Sequence, residues 1–166
     1  MEKIISKEEL DELMKIKGEV RGISLKNYGK FILKEKGKEG LEKIEEVMAD
    51  AGCPIKYKKI KVMDFYPLWQ NVATFMAIKR CFNFDEKKFQ EMGKFCFKSP
   101  TLIRLLTKYW LSFEKAVKSV PKMWGTYFTV GNLKATDYNR EKRYVVLRLE
   151  DFLFIQLIPP EFIVSI

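Results

Sequence analysis

A chain of 166 residues with 47% hydrophobic and 14% aromatic side chains can bury one core, and 31 Lys/Arg against 22 Asp/Glu leave it a net charge of +9. Histidine is absent, which removes the commonest general base and a frequent zinc and haem ligand, and the three cysteines, Cys53, Cys81 and Cys96, form no CxxC pair, so neither a disulfide framework nor a zinc knuckle is suggested. With no signal-peptide pattern and no uninterrupted apolar run of spanning length, a cytoplasmic chain without a transmembrane segment is expected.

Ser6-Lys7-Glu8-Glu9 has the capping-box form, with Ile5 and Leu10 placed as a hydrophobic staple, and predicts a short helix whose stripe is Leu10, Leu13 and Met14. Gly18 ends it. A second helical segment, from about Val20 to Lys36, has Leu25, Tyr28, Phe31 and Ile32 on its buried side and closes at Gly37; a third runs from Glu39 to Ala51 with Gly52 as its carboxy-terminal cap. Pro54 to Val62 alternates apolar residues with lysines and fits either a short edge strand or an extended connection, of which the connection is favoured.

The stretch from Asp64 to Arg80 forms the expected centre. Pro67 suits the first turn of a helix, and Leu68, Val72, Phe75, Met76 and Ile78 or Lys79 recur at helical spacing, while Gln70, Asn71 and Thr74 fall largely elsewhere. Phe65, Tyr66, Trp69 and Phe75 read first as an ordinary hydrophobic centre and second as the lining of a ligand cavity. Asp85 caps a further helix with Phe84 stapled to Phe89, leading to Phe97. Ser99-Pro100 opens a long core helix with Leu102, Leu106, Tyr109, Phe113, Ala116 and Val120 on one face, broken at Pro121.

After Trp124 and Gly125 the pattern becomes alternating. Residues 127–137 and 143–150 predict a hairpin around a polar turn at Tyr138 to Lys142, with Leu133 and Ala135 on one side and Val145, Leu147 and Leu149 on one side of the partner strand. The tail FLFIQLIPPEFIVSI is too interrupted by Pro159 and Pro160 to span a membrane, and suggests a third strand, a dimer contact or a membrane-surface contact, in that order. The expected organisation is one domain over 1–166: an amino-terminal helix at 1–17, a helical part at 18–126, and the hairpin and apolar tail at 127–166.

The order VRGISLKNYGKF, GKEGLEKIEEVM, FYPLW, SPTLIRLLTKYW and VPKMWGTYFTVGNLKATDY resembles the haem-NO-binding-associated and 4-vinyl-reductase-like group, which shares its fold with TRAPP vesicle-tethering subunits. The likeness covers roughly residues 18 to 150. It implies an α+β domain, a helical layer enclosing an apolar core or cavity with a small antiparallel β-sheet near the carboxy terminus, assembled as a homodimer. It also implies a sensory or scaffold role and an apolar, lipidic or aromatic ligand. The wall of such a cavity would be Phe65, Tyr66, Trp69, Val72, Phe75 and Met76, faced by Leu106, Tyr109, Trp110, Phe113 and Trp124. Related domains often carry a cysteine-rich zinc site near the end of the chain; no cysteine follows Cys96, so no metal site is carried over.

No catalytic constellation emerges. Cys81 beside Lys79 and Arg80 reads chiefly as a buried thiol, as does Cys96, and nothing in the spacing of Asp64, Glu91 and Glu114 makes an acid and base pair. Residues 1–64 hold 15 Lys/Arg against 13 Asp/Glu, a net of +2, and residues 65–166 hold 16 against 9, a net of +7. These cations are spread mostly singly through amphipathic patterns, so no nucleic acid is expected, and the basic turn from Arg140 to Arg143 with Tyr127 and Phe128 is the fallback surface for anions. Two readings follow: a non-enzymatic, cofactor-free domain that binds an apolar small molecule with Tyr66, Gln70 and Tyr109 orienting it, or a dimeric scaffold or adaptor whose core is filled.

Overall fold

The computed structural model describes residues 4–98, 113–142 and 144–152. Its first helix, α1 (Lys7–Met14), starts where Ser6 Oγ accepts from the Glu9 N–H at 3.2 Å and the Glu9 carboxylate accepts from the Ser6 N–H at 2.9 Å, two orphan donors satisfied reciprocally. Ile5 and Leu10 are buried beside this cap, as is Leu13; Met14, expected on the same stripe, is the last residue of the helix and stays exposed. Val20, expected inside the second helix, lies instead in a three-residue strand, β1 (Glu19–Arg21), and the helix proper, α2 (Gly22–Asp50), begins after it.

Gly37, at φ +70° and outside helical geometry, separates α2 into two helical halves where the sequence places the end of one helix and the start of the next. Leu25, Phe31 and Ile32 are buried before the kink, and Leu41, Ile44 and Met48 after it. The helix finishes in a Schellman arrangement, with the Cys53 N–H donating to Met48 O, the Gly52 N–H to Ala49 O, and Gly52 at φ +95°. From Cys53 the chain runs as an irregular connection with one 3-10 turn at Tyr57–Lys59. Glu45 of α2 is buried and pins this connection, accepting from the Tyr57 N–H at 3.1 Å and from Lys56 Nζ at 2.7 Å.

Strand β2 (Phe65–Pro67) pairs antiparallel with β1 in the register Glu19 to Pro67, Val20 to Tyr66 and Arg21 to Phe65. Pro67 thus closes a strand and stands at the N-cap of α3 (Leu68–Phe82), one residue before the first turn in which it was expected. α3 is not amphipathic in the expected sense. It buries Leu68, Val72, Ala77 and Ile78 but also Asn71 and Thr74, because α1 and α2 pack on it from different sides, so nearly all its circumference is covered. Asp85 then caps α4 (Glu86–Phe97), accepting from the Lys88 N–H at 2.8 Å, with Phe84 edge-on to Phe89 at 5.9 Å.

The expected helix from Ser99 lies largely outside the described residues; α5 (Phe113–Lys118) contains the buried Val117. A second short helix, α6 (Val120–Tyr127), takes Pro121 into its first turn, so this proline opens a helix where a break alone was expected. Tyr127, placed by the sequence pattern in a strand, closes α6; Phe128 then bridges Val20 on the edge of β1 opposite β2. The hairpin is β3 (Asn132–Asn139) and β4 (Tyr144–Glu150), with Leu133 opposite Leu149 and Ala135 opposite Leu147. The fold is therefore α+β, a helical body with two small antiparallel sheets, one of them near the carboxy terminus. No described helix is long and apolar enough to cross a membrane.

Candidate functional site

Of the residues expected to line a cavity, those described are distributed over β2, α3, α5 and α6. Phe65 is 36% exposed on β2, with the Arg21 guanidinium 4.3 Å above its ring, and the half-buried Tyr66 accepts from the Lys61 N–H through its hydroxyl. Val72 is fully within the core; Trp69, Phe75 and Met76 are half-buried against it. Trp124 belongs elsewhere: it stacks on Phe128 at 4.2 Å, meets Phe152 edge-on at 5.5 Å, and donates from Nε1 to Val130 O at 2.9 Å. Phe113 opens α5, and Leu106, Tyr109 and Trp110 lie outside the described residues.

On the side of α3 toward α2 and α4, aromatic rings occupy the space. Phe75 lies 4.7 Å from Tyr28 and 6.0 Å from Phe89; Phe31 meets Phe84 at 6.3 Å and Phe95 at 5.5 Å. These are the offset and edge-on separations of packed aromatic pairs.

A polar seam runs through the same core. Tyr57 Oη lies 2.9 Å from Thr74 Oγ1, which donates to Gln70 O at 2.8 Å, and Asn71 Nδ2 sits 3.5 Å from Tyr28 Oη. Asn71 Oδ1 and Asn27 Oδ1 are buried without a hydrogen-bond partner among the described residues. Burial pushes the Tyr28 and Tyr57 hydroxyls well above the ordinary phenol range, so both stay protonated. The sequence pattern gave no sign of this seam. Asn71 and Thr74 looked solvent-facing, and their partners come from segments 17 and 43 residues away.

The same cause acts on the thiols. Burial raises Cys53 and Cys81, the latter partly offset by Lys43 rather than by its sequence neighbours Lys79 and Arg80, and pushes Cys96 up to about 12. Glu91 is engaged by Lys88 at 2.7 Å, Asp64 by Lys61 at 3.9 Å, and no group of three or more metal-ligating side chains occurs among the described residues.

The surface feature that stands out is the β3–β4 hairpin. Tyr138, Tyr144, Val145, Val146 and Leu147 are five of the nine large hydrophobic residues that are exposed among those described. An irregularity in the register between Ala135 and Asp137 explains their layout. One extra residue in β3 shifts the alternation, so that Asp137 faces Val146 and Tyr138 faces Val145. One face of the hairpin therefore reads Leu133, Ala135 and Tyr138 against Val145, Leu147 and Leu149, without a charge. The other carries the Lys134 to Glu150 bridge at 2.7 Å and the bond from Tyr144 Oη to Asp137 at 2.9 Å. The base of the hairpin rests against α5 and α6, and the half toward the turn is open. No family model, curated protein or solved structure matches the chain.

Proposed function

We propose that the chain is a non-enzymatic protein-interaction domain, a scaffold or adaptor whose helical body serves as a rigid core and whose hairpin carries the contact. The observation that supports this reading is the uncharged face of β3 and β4, where Val145 and Leu147 are 39% and 43% exposed, together with the ring-to-ring contacts of Phe75 beside α3. It departs from the small-molecule role implied by the family resemblance. That role keeps one supporting observation, the two partnerless amide oxygens of Asn27 and Asn71, which a donor on a small ligand would satisfy.

Two measurements test the proposal. Native mass spectrometry of the purified chain is expected to give the bare polypeptide mass; a fatty acid or aromatic compound retained at one per chain would overturn the filled-core reading. Leu147→Lys is expected to shift stability by no more than about 0.5 kcal/mol, as for a surface position. A loss above about 2 kcal/mol would mean that the face is internal packing and not a contact surface.

A further inference from the structure

We infer that one side of the helical body, where the first half of α2 lies against the connection from Lys56 to Lys61, binds the phosphate backbone of a nucleic-acid duplex, without reading its sequence and without the hairpin.

The lysines concerned stand singly in the sequence, and the fold brings them together. Two glycines of α2 admit the connection: a Cβ on Gly22 would run into the carbonyl oxygen of Lys61, and one on Gly29 would lie 2.5 Å from Tyr57 Cβ. The Gly22 and Ile23 N–H groups donate to Asp64 O and Val62 O at 2.8 and 3.1 Å. Lys26 Nζ donates to Ile60 O at 2.9 Å and to Lys58 O at 3.3 Å, so neutral carbonyl groups hold this ammonium and leave its charge uncompensated. Lys30 is exposed about 6 Å further along α2, and Lys58 and Lys59 are exposed on the short turn that starts at Tyr57.

Among the described residues, none of Lys26, Lys30, Lys58 and Lys59 has a carboxylate within ion-pair distance. The lysines to either side do. Lys56 is bonded to Glu45 at 2.7 Å, with Glu42 and Glu46 also acting on it, and Lys61 lies 3.9 Å from Asp64. Carboxylates therefore bound a short stripe of four free cations. A bilayer presents a plane of anionic headgroups and would meet Glu42, Glu46 and Asp64 together with the lysines. Leu33, 40% exposed, is the one large apolar side chain that α2 adds among these lysines, too little to anchor a bilayer. A duplex presents its phosphates in narrow lines, one of which can follow the stripe. Lysine suits that task as a point charge that binds phosphate without reading bases. Tyr57, the aromatic residue of the stripe, is buried, and the Arg21 guanidinium covers the Phe65 ring at 4.3 Å. Neither ring offers a face for an unpaired base to stack on, which favours a duplex over a single strand.

The test uses the full chain with fluorescein-labelled duplex DNA and duplex RNA of about 20 base pairs, followed by anisotropy. Four neutralised phosphates predict dissociation in the range of about 10 to 100 μM near physiological salt, with log K falling against log salt at a slope of about −3.6. Lys30→Gln, Lys58→Gln and Lys59→Gln together should bring that slope to about −0.9 and weaken binding by at least about tenfold. A control with the same loss of charge, Lys122→Gln, Arg140→Gln and Lys142→Gln, should change the slope by less than about 0.5. A second duplex of unrelated sequence should bind equally. Far-ultraviolet circular dichroism confirms that each variant is folded. No binding of either duplex up to about 200 μM at low salt, or an equal loss in the control, would overturn the proposal. So would sedimentation of the chain with phosphatidylserine vesicles while both duplexes stay free.

Discussion

Gly18 sits where the amino-terminal and carboxy-terminal parts of the chain touch, and replacing it by alanine separates two costs that usually come together. Its φ is +98°, and an added Cβ would lie 2.5 Å and 2.6 Å from the two methyl carbons of Val130. Its carbonyl also accepts from the Leu68 N–H at 2.9 Å, at the start of α3. Gly18→Ala should therefore cost about 1 kcal/mol for the positive φ and about 2 kcal/mol for overlap with Val130. Val130→Ala alone removes two half-buried methyl groups and should cost about 1 kcal/mol. In the double variant the two methyl overlaps are gone, the remaining Cβ contact is 3.1 Å, and the main costs are the backbone term and the lost methyl groups. It should therefore lie about 2 kcal/mol below wild type, against about 4 kcal/mol for the sum of the single changes. Urea unfolding followed by circular dichroism and by tryptophan fluorescence measures all four proteins, and an unchanged slope confirms that midpoints report stability. Additivity within about 0.5 kcal/mol would refute the claim that the methyl groups of Val130 forbid a side chain at Gly18.

The Arg80 guanidinium, in a two-pronged contact at 2.7 and 2.8 Å and helped by the Ser6 N–H, holds the Glu9 carboxyl down from its ordinary 4.5 to about 2. Because the folded value is the lower one, this pair contributes fully above pH 4.5 and is lost as pH falls from there toward 2. Both side chains are about two-fifths exposed, so solvent screening reduces the contribution to about 1 kcal/mol. Glu9→Gln should cost that much at pH 7 and flatten the acid limb of stability against pH; an unaltered acid limb would rule the pair out as its source. For the cysteines, a disulfide-exchange reagent at pH 8 should label the native protein slowly and modify three thiols per chain after unfolding, since Cys53 is buried, Cys81 and Cys96 are partly so, and burial holds all three above the ordinary thiol range. Rapid labelling of the folded protein at Cys81 would contradict that assignment.

What the sequence made legible was local. The capping box at Ser6 and Glu9, the Asp85 cap with Phe84 against Phe89, and the end of α2 at Gly52 depend on residues within a few positions of each other, and each lies where the spacing predicts. The facing sides of the hairpin were readable for Leu133 and Ala135 against Leu147 and Leu149, but the extra residue between Ala135 and Asp137, the start of β3 at Asn132 and the place of Tyr138 in the strand rather than the turn were not. What escaped was set from a distance. Asn71 and Thr74 looked like an exposed face because a helical stripe assumes one neighbour, whereas α3 has neighbours on several sides. Phe65 and Tyr66 were drawn into the core by their ring size, yet pairing with Glu19–Arg21 holds them in a strand at its margin. Tyr127 and Phe128 continued an alternating pattern on paper, but one completes a helix and the other reaches back to Val20. The proposed cavity wall mixed both kinds of inference: Val72, Phe75 and Met76 share one helix as read, while Trp124 answers to Phe128 and Phe152.

The bridge from Val20 to Phe128, with the Glu19 N–H donating to Thr129 Oγ1 across 110 residues, closes a long loop of the chain. Joining the ends of an unstructured segment that long costs about 4 kcal/mol in chain entropy beyond the fixed cost of any closure, more than two or three exposed hydrogen bonds return. The clasp becomes affordable only after α2, α3 and α4 have condensed and shortened the free path between its two halves. It is thus expected to be the last part of the fold to form and the first to open. Hydrogen exchange would register this as Thr129 losing protection while Ile32 and Ile78 keep theirs, and equal protection at the three amides would contradict it.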